Sequence, residues 1–437
     1  MTRGSKKRRI ERVKSLLILL LSCSAVFLVL RTQAVIIGAD DAAQSYQEGS
    51  RGTNSTADLG SMVRPMRMAA AIQQGSEVVR YGVQYDQEGA DALFQRAYSL
   101  LVEALSSAGQ PQVIDEEVWR QALSAAPGLY FDWQGKIPLV VLSQWLSVDN
   151  SALTGTVRRM VLTAAEGQVT LYYWDESRGQ GYACVSDVIS ADRLTEAVGA
   201  LQENGALFAF ETQEYAALAP YTMVLPQTPV PAVYSGVNPL TGESDRQALQ
   251  ELLGFPESSV SYNAAGEQVI RNRNDTLHLT EDGGVIYEAA EDSDRYWLSG
   301  SGASEAAEGC RQLVQQTLGQ SCGEADLYLI SVEETGEGGW QVEFGYRLNG
   351  IQVRLGEEGW AAQFLVEQGQ ITYFHLQFRS YTDTGNTSVV LPERQAAAAM
   401  EAMGHTGEEL LLVYLDNGND ELVSASWAAA GELAGGR

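Results

Sequence analysis

Three histidines (His278, His375, His405), four cysteines (Cys23, Cys184, Cys310, Cys322) and many carboxylates are the side chains from which this chain would have to build catalysis or metal binding. A Cys–His or Ser–His–Asp arrangement would supply an activated nucleophile, and clustered Cys and His a zinc site. The spacing favours neither: the histidines are scattered and none stands beside a cysteine. His278 alternates with Leu277 and Leu279, and His375 with Phe374 and Leu376, so each reads as an outward-facing strand residue. Asp132 lies between Phe131 and Trp133 and has two readings: a partly buried acid with a raised pKa, or a residue pointing out of a strand whose neighbours point in. The run 416–421 (DNGNDE) invites calcium, but it lacks the glycine position and distal glutamate of a calcium loop, and a hairpin turn accounts for it. No glycine-rich phosphate loop, Gly-x-Ser-x-Gly elbow or His-Glu-x-x-His motif is present. The residues therefore point to a chain without catalytic residues, cofactor or metal.

Charge sets the next limit. Residues 1–31 carry eight basic side chains (Arg3, Lys6, Lys7, Arg8, Arg9, Arg12, Lys14, Arg31) against Glu11 alone, so this segment is +7 and the remainder −34 within a net charge of −27. A body this acidic repels nucleic acid and anionic lipid headgroups, which makes both poor partners.

Residues 15–30 (SLLILLLSCSAVFLVL) hold no charge, and the apolar character resumes at 34–37 after Arg31. Sixteen residues of helix span roughly 24 Å, and snorkelling of Arg31 extends this to a transmembrane helix over 15–37. The basic cluster at 1–14 stays in the cytoplasm, which places the bulk outside the cell membrane as a single-pass protein. A cleavable signal peptide ending near Ala34, or a lipobox at residues 20–23, are the rival readings.

Beyond the anchor, residues 38–60 are polar and aperiodic and read as a flexible tether. An α+β domain follows over 61–225. It contains helices capped by Asp86, Asp115 and Ser190, strands at 129–133, 157–163, 168–174 and 207–211, and a helical stretch after Ile137 and Pro138. Pro226, Pro229, Pro231 and Pro239 mark a linker at 226–239. A small α+β domain (240–298) carries a helix at 245–253 and four strands, with a hairpin turn at Asp282 and Gly283. The C-terminal α+β domain (299–437) opens with a helix at 304–318, on whose apolar stripe Cys310 reads as a core residue, and has hairpins at Asn349 and Gly350, Gln368 and Gly369, and Asn417 and Gly418. The fold class is thus α+β, with a transmembrane helix followed by about three modules of helices packed on antiparallel sheets.

Several of these segments resemble the YycH/YycI family, membrane-anchored extracytoplasmic regulators of the WalK-type two-component sensor histidine kinase in Gram-positive bacteria. Residues 260–262 (VSY), 275–279 (DTLHL) and 282–287 (DGGVIY) are similar to the family's paired strands, and 344–353 (FGYRLNGIQV) to its later strand pair. Residues 422–427 (LVSASW) resemble its closing strand, with Ser424 or Ala425 where the family has proline, and 131–138 (FDWQGKIP) resembles the first module of its larger member. The resemblance implies no enzyme activity, no cofactor, and control of a sensor kinase through transmembrane-helix and ectodomain contacts; whether a sister regulator or a second copy joins it is left open by the sequence. Small residues let helices approach closely in a bilayer, so Ser22, Ser24 and Ala25 are the expected partner-binding face. The main alternative is an anchored module that binds peptidoglycan or another envelope polymer on exposed Trp133, Trp340 and Trp360. A third reading, an anchored hydrolase, would require one deep pocket joining Asp132 or other acids to a histidine.

Overall fold

The computed structural model describes residues 62–434, with residues 166, 265 and 337 left aside. The basic segment, the 15–37 anchor with Ser22, Ser24 and Ala25, and the 38–60 tether lie outside the described residues. Among the described residues, no helix is long and apolar enough to cross a membrane. About 26% of the described residues are helix and 41% strand, so sheets carry the architecture.

The first sheet is antiparallel throughout. Its strands are β1 (Arg67–Gln74), β2 (Glu77–Val83), β3 (Gln112–Ile114), β4 (Gly128–Pro138), β5 (Thr156–Ala165), β6 (Gln168–Asp175) and β7 (Gln180–Ser190), in the order β2-β1-β4-β5-β6-β7-β3. Helices α1 (Gln87–Ser107), α2 (Glu116–Ser124) and α4 (Ala191–Gly199) pack on this sheet; α3 (Leu139–Trp145) follows β4. Asp86, Asp115 and Ser190 cap α1, α2 and α4 by accepting from the backbone N–H of Gly89, Val118 and Arg193, as their sequence positions predict. Under α2, Trp119 and Leu123 meet Ala69, Tyr130, Val161 and Phe208 in one apolar cluster.

The expected strand at 207–211 is shorter than its pattern suggests. Only Leu207–Phe208 (β8) pairs, with Met223–Val224 (β9), and Ala209–Glu211 turns into a 3-10 helix. Glu211 explains the break, because its Oε2 accepts from the backbone N–H of Phe208 at 2.8 Å while the carboxylate holds Arg80.

Part of the proline-rich stretch 226–239 is strand: β10 (Ala232–Val237) lies between β20 (Ser380–Thr387) and β22 (Leu422–Val423). Its prolines fall before and after the strand, so no ladder donor is lost. Residues Gln247–Ser258 cluster apart from the other described residues. Helix α5 (Glu243–Leu252) ends there, and Gln250 donates to the carbonyl of Pro256 at 3.3 Å.

The second large sheet contains β11 (Val260–Ala264), β12 (Glu267–Asn272), β13 (Asp275–Leu279), β14 (Gly284–Glu288), β15 (Asp326–Glu334), β16 (Trp340–Leu348), β17 (Ile351–Leu355), β18 (Ala362–Glu367), β19 (Gln370–Gln377), β21 (Leu410–Asp416) and β23 (Ala425–Ala429). The four-stranded meander β11–β14 continues through β14–β19, so the sheet runs across residue 298 into the C-terminal segment. Strand β16 forks it: its first half pairs with β18, and its second half with β17, which leads to β21 and β23. Helix α6 (Ala303–Gln316) covers this sheet and touches α3, burying Cys310 completely. Helix α7 (Glu393–Ala402) packs on β21 and β23, and the short α8 (Ala430–Ala434) follows β23. The two large sheets meet where Ser331 of β15 bridges Lys136 of β4.

Candidate functional site

Cross-strand register builds the most highly charged buried site. Arg67 on β1 stands opposite Asp132 on β4, and Asp132 stands opposite Arg159 on β5, giving a row of alternating sign. A register shift between Val157 and Arg159 re-aims Arg158, whose Nε and Nη2 donate to the two Asp132 oxygens at 2.9 and 3.1 Å. Glu409, at the entrance to β21, completes the arrangement. It accepts from Arg67 at 2.5 Å, from Arg158 at 2.8 Å and from Arg159 at 3.0 Å. Arg67 and Asp132 are each 1% exposed and Glu409 6%. Glu176 lies 3.5 Å from Arg159, so three guanidinium groups face three carboxylates.

Supporting groups fix Arg67 further. Tyr85 accepts from its Nη2 at 3.1 Å and lies under its guanidinium, while Gln134, with its amide oxygen turned inward, accepts from the same group. Both residues take positive φ (60° and 58°), a conformation that non-glycine residues seldom adopt and that is here held by the contacts around Arg67.

The electrostatics follow from this crowding. Burial alone would raise the Glu409 carboxyl, but Arg158, Arg159 and Arg67 together hold it well below the usual carboxylate range. Burial works the same way on Asp132 and is again overcome, by Arg158 and Arg159. Neither sequence reading of Asp132 describes it. It is buried, yet its pKa is lowered, because the inward strand face carries arginines; a carboxylate held this firmly ionised is an ion-pair partner and a poor proton donor.

A second buried carboxyl behaves in the opposite way. Glu393, at the start of α7, is 4% exposed and accepts from Gln84 Nε2 and from the backbone N–H of Leu225, each at 2.6 Å. Burial pushes its carboxyl up to about 8, against weaker opposition from the Leu225 hydrogen bond and Arg67. Glu393 and Glu409 both join the C-terminal segment to the first sheet and the elements around it.

The run 416–421 forms the expected turn. Asp416 is almost fully buried, and its oxygens accept from Arg379 at 2.8 and 3.0 Å, from the Tyr381 hydroxyl at 2.9 Å and from the Gly418 N–H at 2.8 Å. These donors occupy the lone pairs that a cation would need.

The histidines occupy three separate settings. His278 contacts Glu267 at 3.2 Å. His375 packs edge-on to Trp360, with its pKa lowered chiefly by burial. Both are half-buried rather than freely solvated. His405 sits between Glu408 and Glu432 at 3.1 and 3.0 Å, which raise its pKa, the hydrogen bond to Glu408 contributing most. Cys184 and Cys322 are buried thiols pushed up to about 11, and Cys310 is pushed up as well. Of the proposed aromatic platform, Trp133 and Trp360 are buried and Trp340 is half-buried, with the Trp133 indole donating to Val63 and that of Trp340 to Ser301.

Among solved structures, the crystal structure of YycH from Bacillus subtilis superposes over 85% of this chain and 94% of its own, with a TM-score of 0.51 and 10% sequence identity. The fold is that of YycH. At 10% identity the likeness to YycH carries the fold alone. No protein-family model matches the chain, and no curated protein matches it.

Proposed function

We propose that the chain is a non-catalytic extracytoplasmic regulator of a two-component sensor histidine kinase of the WalK type, acting through its transmembrane helix and through ectodomain contacts. The observation that carries this reading is the YycH fold over 85% of the chain, joined to an N-terminus of basic residues and an apolar run. The acidic body supports a role away from the lipid surface, since anionic headgroups repel it and the 38–60 tether gives it reach. Arg67 lies a few residues beyond the tether and is ion-paired to Glu409, so the start of the folded body is tied to the C-terminal segment.

Envelope-polymer binding is the weaker alternative. Trp133 and Trp360 are packed inside, so the three tryptophans make no exposed platform.

Kinase output tests the proposal: transcription from the kinase's regulon, compared in host cells with and without the chain and with residues 15–37 replaced by an unrelated membrane helix. Output changes on deletion, and the replaced helix does not restore it. Unchanged output on deletion would refute the proposal.

A further inference from the structure

The loop that joins α7 to β21 holds an imidazole with both ring nitrogens against carboxylates. His405 Nδ1 lies 3.1 Å from Glu408 in the same loop, and Nε2 lies 3.0 Å from Glu432 on α8. A neutral imidazole has one N–H, so it donates to only one of these acceptors and turns a lone pair on the other; the imidazolium donates to both. The side chain is 27% exposed, within reach of solvent protons.

Helix α8 depends on such contacts, because five residues are too few to hold a helix unaided. The Glu409 carbonyl accepts from the Ala430 N–H at 2.9 Å, Glu408 Oε2 from the Gly431 N–H at 2.7 Å, and the Leu433 carbonyl from Arg354 of β17 at 2.7 Å. Glu432 closes the set: its Oε1 meets His405 while its Oε2 accepts from the Ala429 N–H at 3.2 Å.

We infer that His405 is a pH-operated fastener for α8: as imidazolium it clamps Glu432 to the loop, and as neutral imidazole it releases that arm and loosens the helix. The inference stands independently of the kinase reading. Glu408 keeps the remaining N–H because it belongs to the same loop, whereas Glu432 is reached across elements. The other surroundings supply little charge. Residues 217–219 (ALA), to which the loop is hydrogen-bonded, and β23 are uncharged, and Arg354 is turned to Leu433. Helix α7 carries Glu401 and Arg394, the latter paired with Glu214. The hydrogen bond to Glu408, with the charge of Glu432, raises the His405 pKa above the ordinary imidazole value. The fastening is therefore whole below that value and is lost as pH rises through the raised one.

Hydrogen exchange of the full-length protein in detergent, wild type against His405→Gln at matched pH, reads the fastening at residues 431–434. At about pH 5.5 the wild-type amides exchange at least about twofold more slowly than those of the variant, the scale of an exposed ion pair, and at about pH 8.5 the two proteins coincide. Glu432→Gln removes one flanking charge, so its His405 ring titrates at lower pH than in wild type, read by NMR with His278 and His375 in the same spectrum. Equal exchange in wild type and His405→Gln at about pH 5.5, a difference that persists undiminished at about pH 8.5, or a His405 titration unmoved by Glu432→Gln would each overturn the inference.

Discussion

The guanidinium of Arg67 lies 2.5 Å from the carboxylate of Glu409, 342 residues further along the chain, and both side chains are almost wholly withdrawn from water. Removing two charges from water is expensive, and the cost is offset only where further hydrogen bonds complete the shell. Here Arg158, Arg159, Asp132, Tyr85 and Gln134 complete it. The first sheet and the C-terminal segment are therefore joined by a contact that tolerates no missing member.

Truncation of Glu409 leaves three buried or part-buried guanidinium groups short of a counter-charge. Glu409→Ala should cost about 3–5 kcal/mol of unfolding free energy. Urea denaturation checks this, as a fall in midpoint with an unchanged slope. A loss within about 0.5 kcal/mol, the range of an ordinary surface substitution, would mean that the network is not formed.

Acid should draw stability out of this contact. Asp132 and Glu409 are held below their unfolded-state values, so their contribution is whole above the ordinary carboxylate pKa, begins to decline as pH falls below it, and is gone once pH has passed the depressed folded values. A thermal midpoint measured from about pH 5 down to about pH 3 should fall more steeply in wild type than in a double variant, Asp132→Asn with Glu409→Gln.

Glu393 gives the opposite sign. Its folded pKa is raised from 4.5 to about 8, so its contribution is whole below the unfolded value, declines as pH rises, and is lost by about pH 8. Between those limits the slope reaches at most about 1.4 kcal/mol per pH unit. Glu393→Gln should be more stable than wild type at about pH 9 and should lose this slope, as read by denaturation across the range. Parallel pH profiles for the two proteins would contradict the assignment.

The turn at 416–421 should be indifferent to calcium. Donors already fill the Asp416 oxygens, so neither calcium nor a chelator should move the thermal midpoint. Asp416→Ala strands the buried Arg379 and should cost about 3–5 kcal/mol. A rise in midpoint with calcium would restore the cation reading.

Local signals made part of this legible in the sequence. Asp86, Asp115 and Ser190 each cap the helix that follows, and the turns at Asn349 and Gly350, Gln368 and Gly369, and Asp282 and Gly283 join the expected strands, all within a few residues of chain. The β1–β2 hairpin was silent, because Ala69, Ala70 and Ala71 show no alternation: small residues suit a strand covered on both faces. The sheet of β10, β20 and β22 was equally silent, since its strands come together from distant parts of the chain. The charge network depends on register and on the Arg67–Glu409 contact, which no local window holds. One signal was available: Arg158 and Arg159 sit side by side in a strand that is otherwise apolar through Leu162, a pattern that demands buried acids nearby.

The central claim, that the chain acts on a sensor kinase within the membrane, is tested most directly by in-membrane crosslinking and pull-down of the full-length protein beside a version whose residues 15–37 are exchanged for an unrelated membrane helix. The account predicts that a sensor histidine kinase is recovered with the native helix and is reduced by the exchange. Recovery of envelope polymer alone, with both versions, would contradict it.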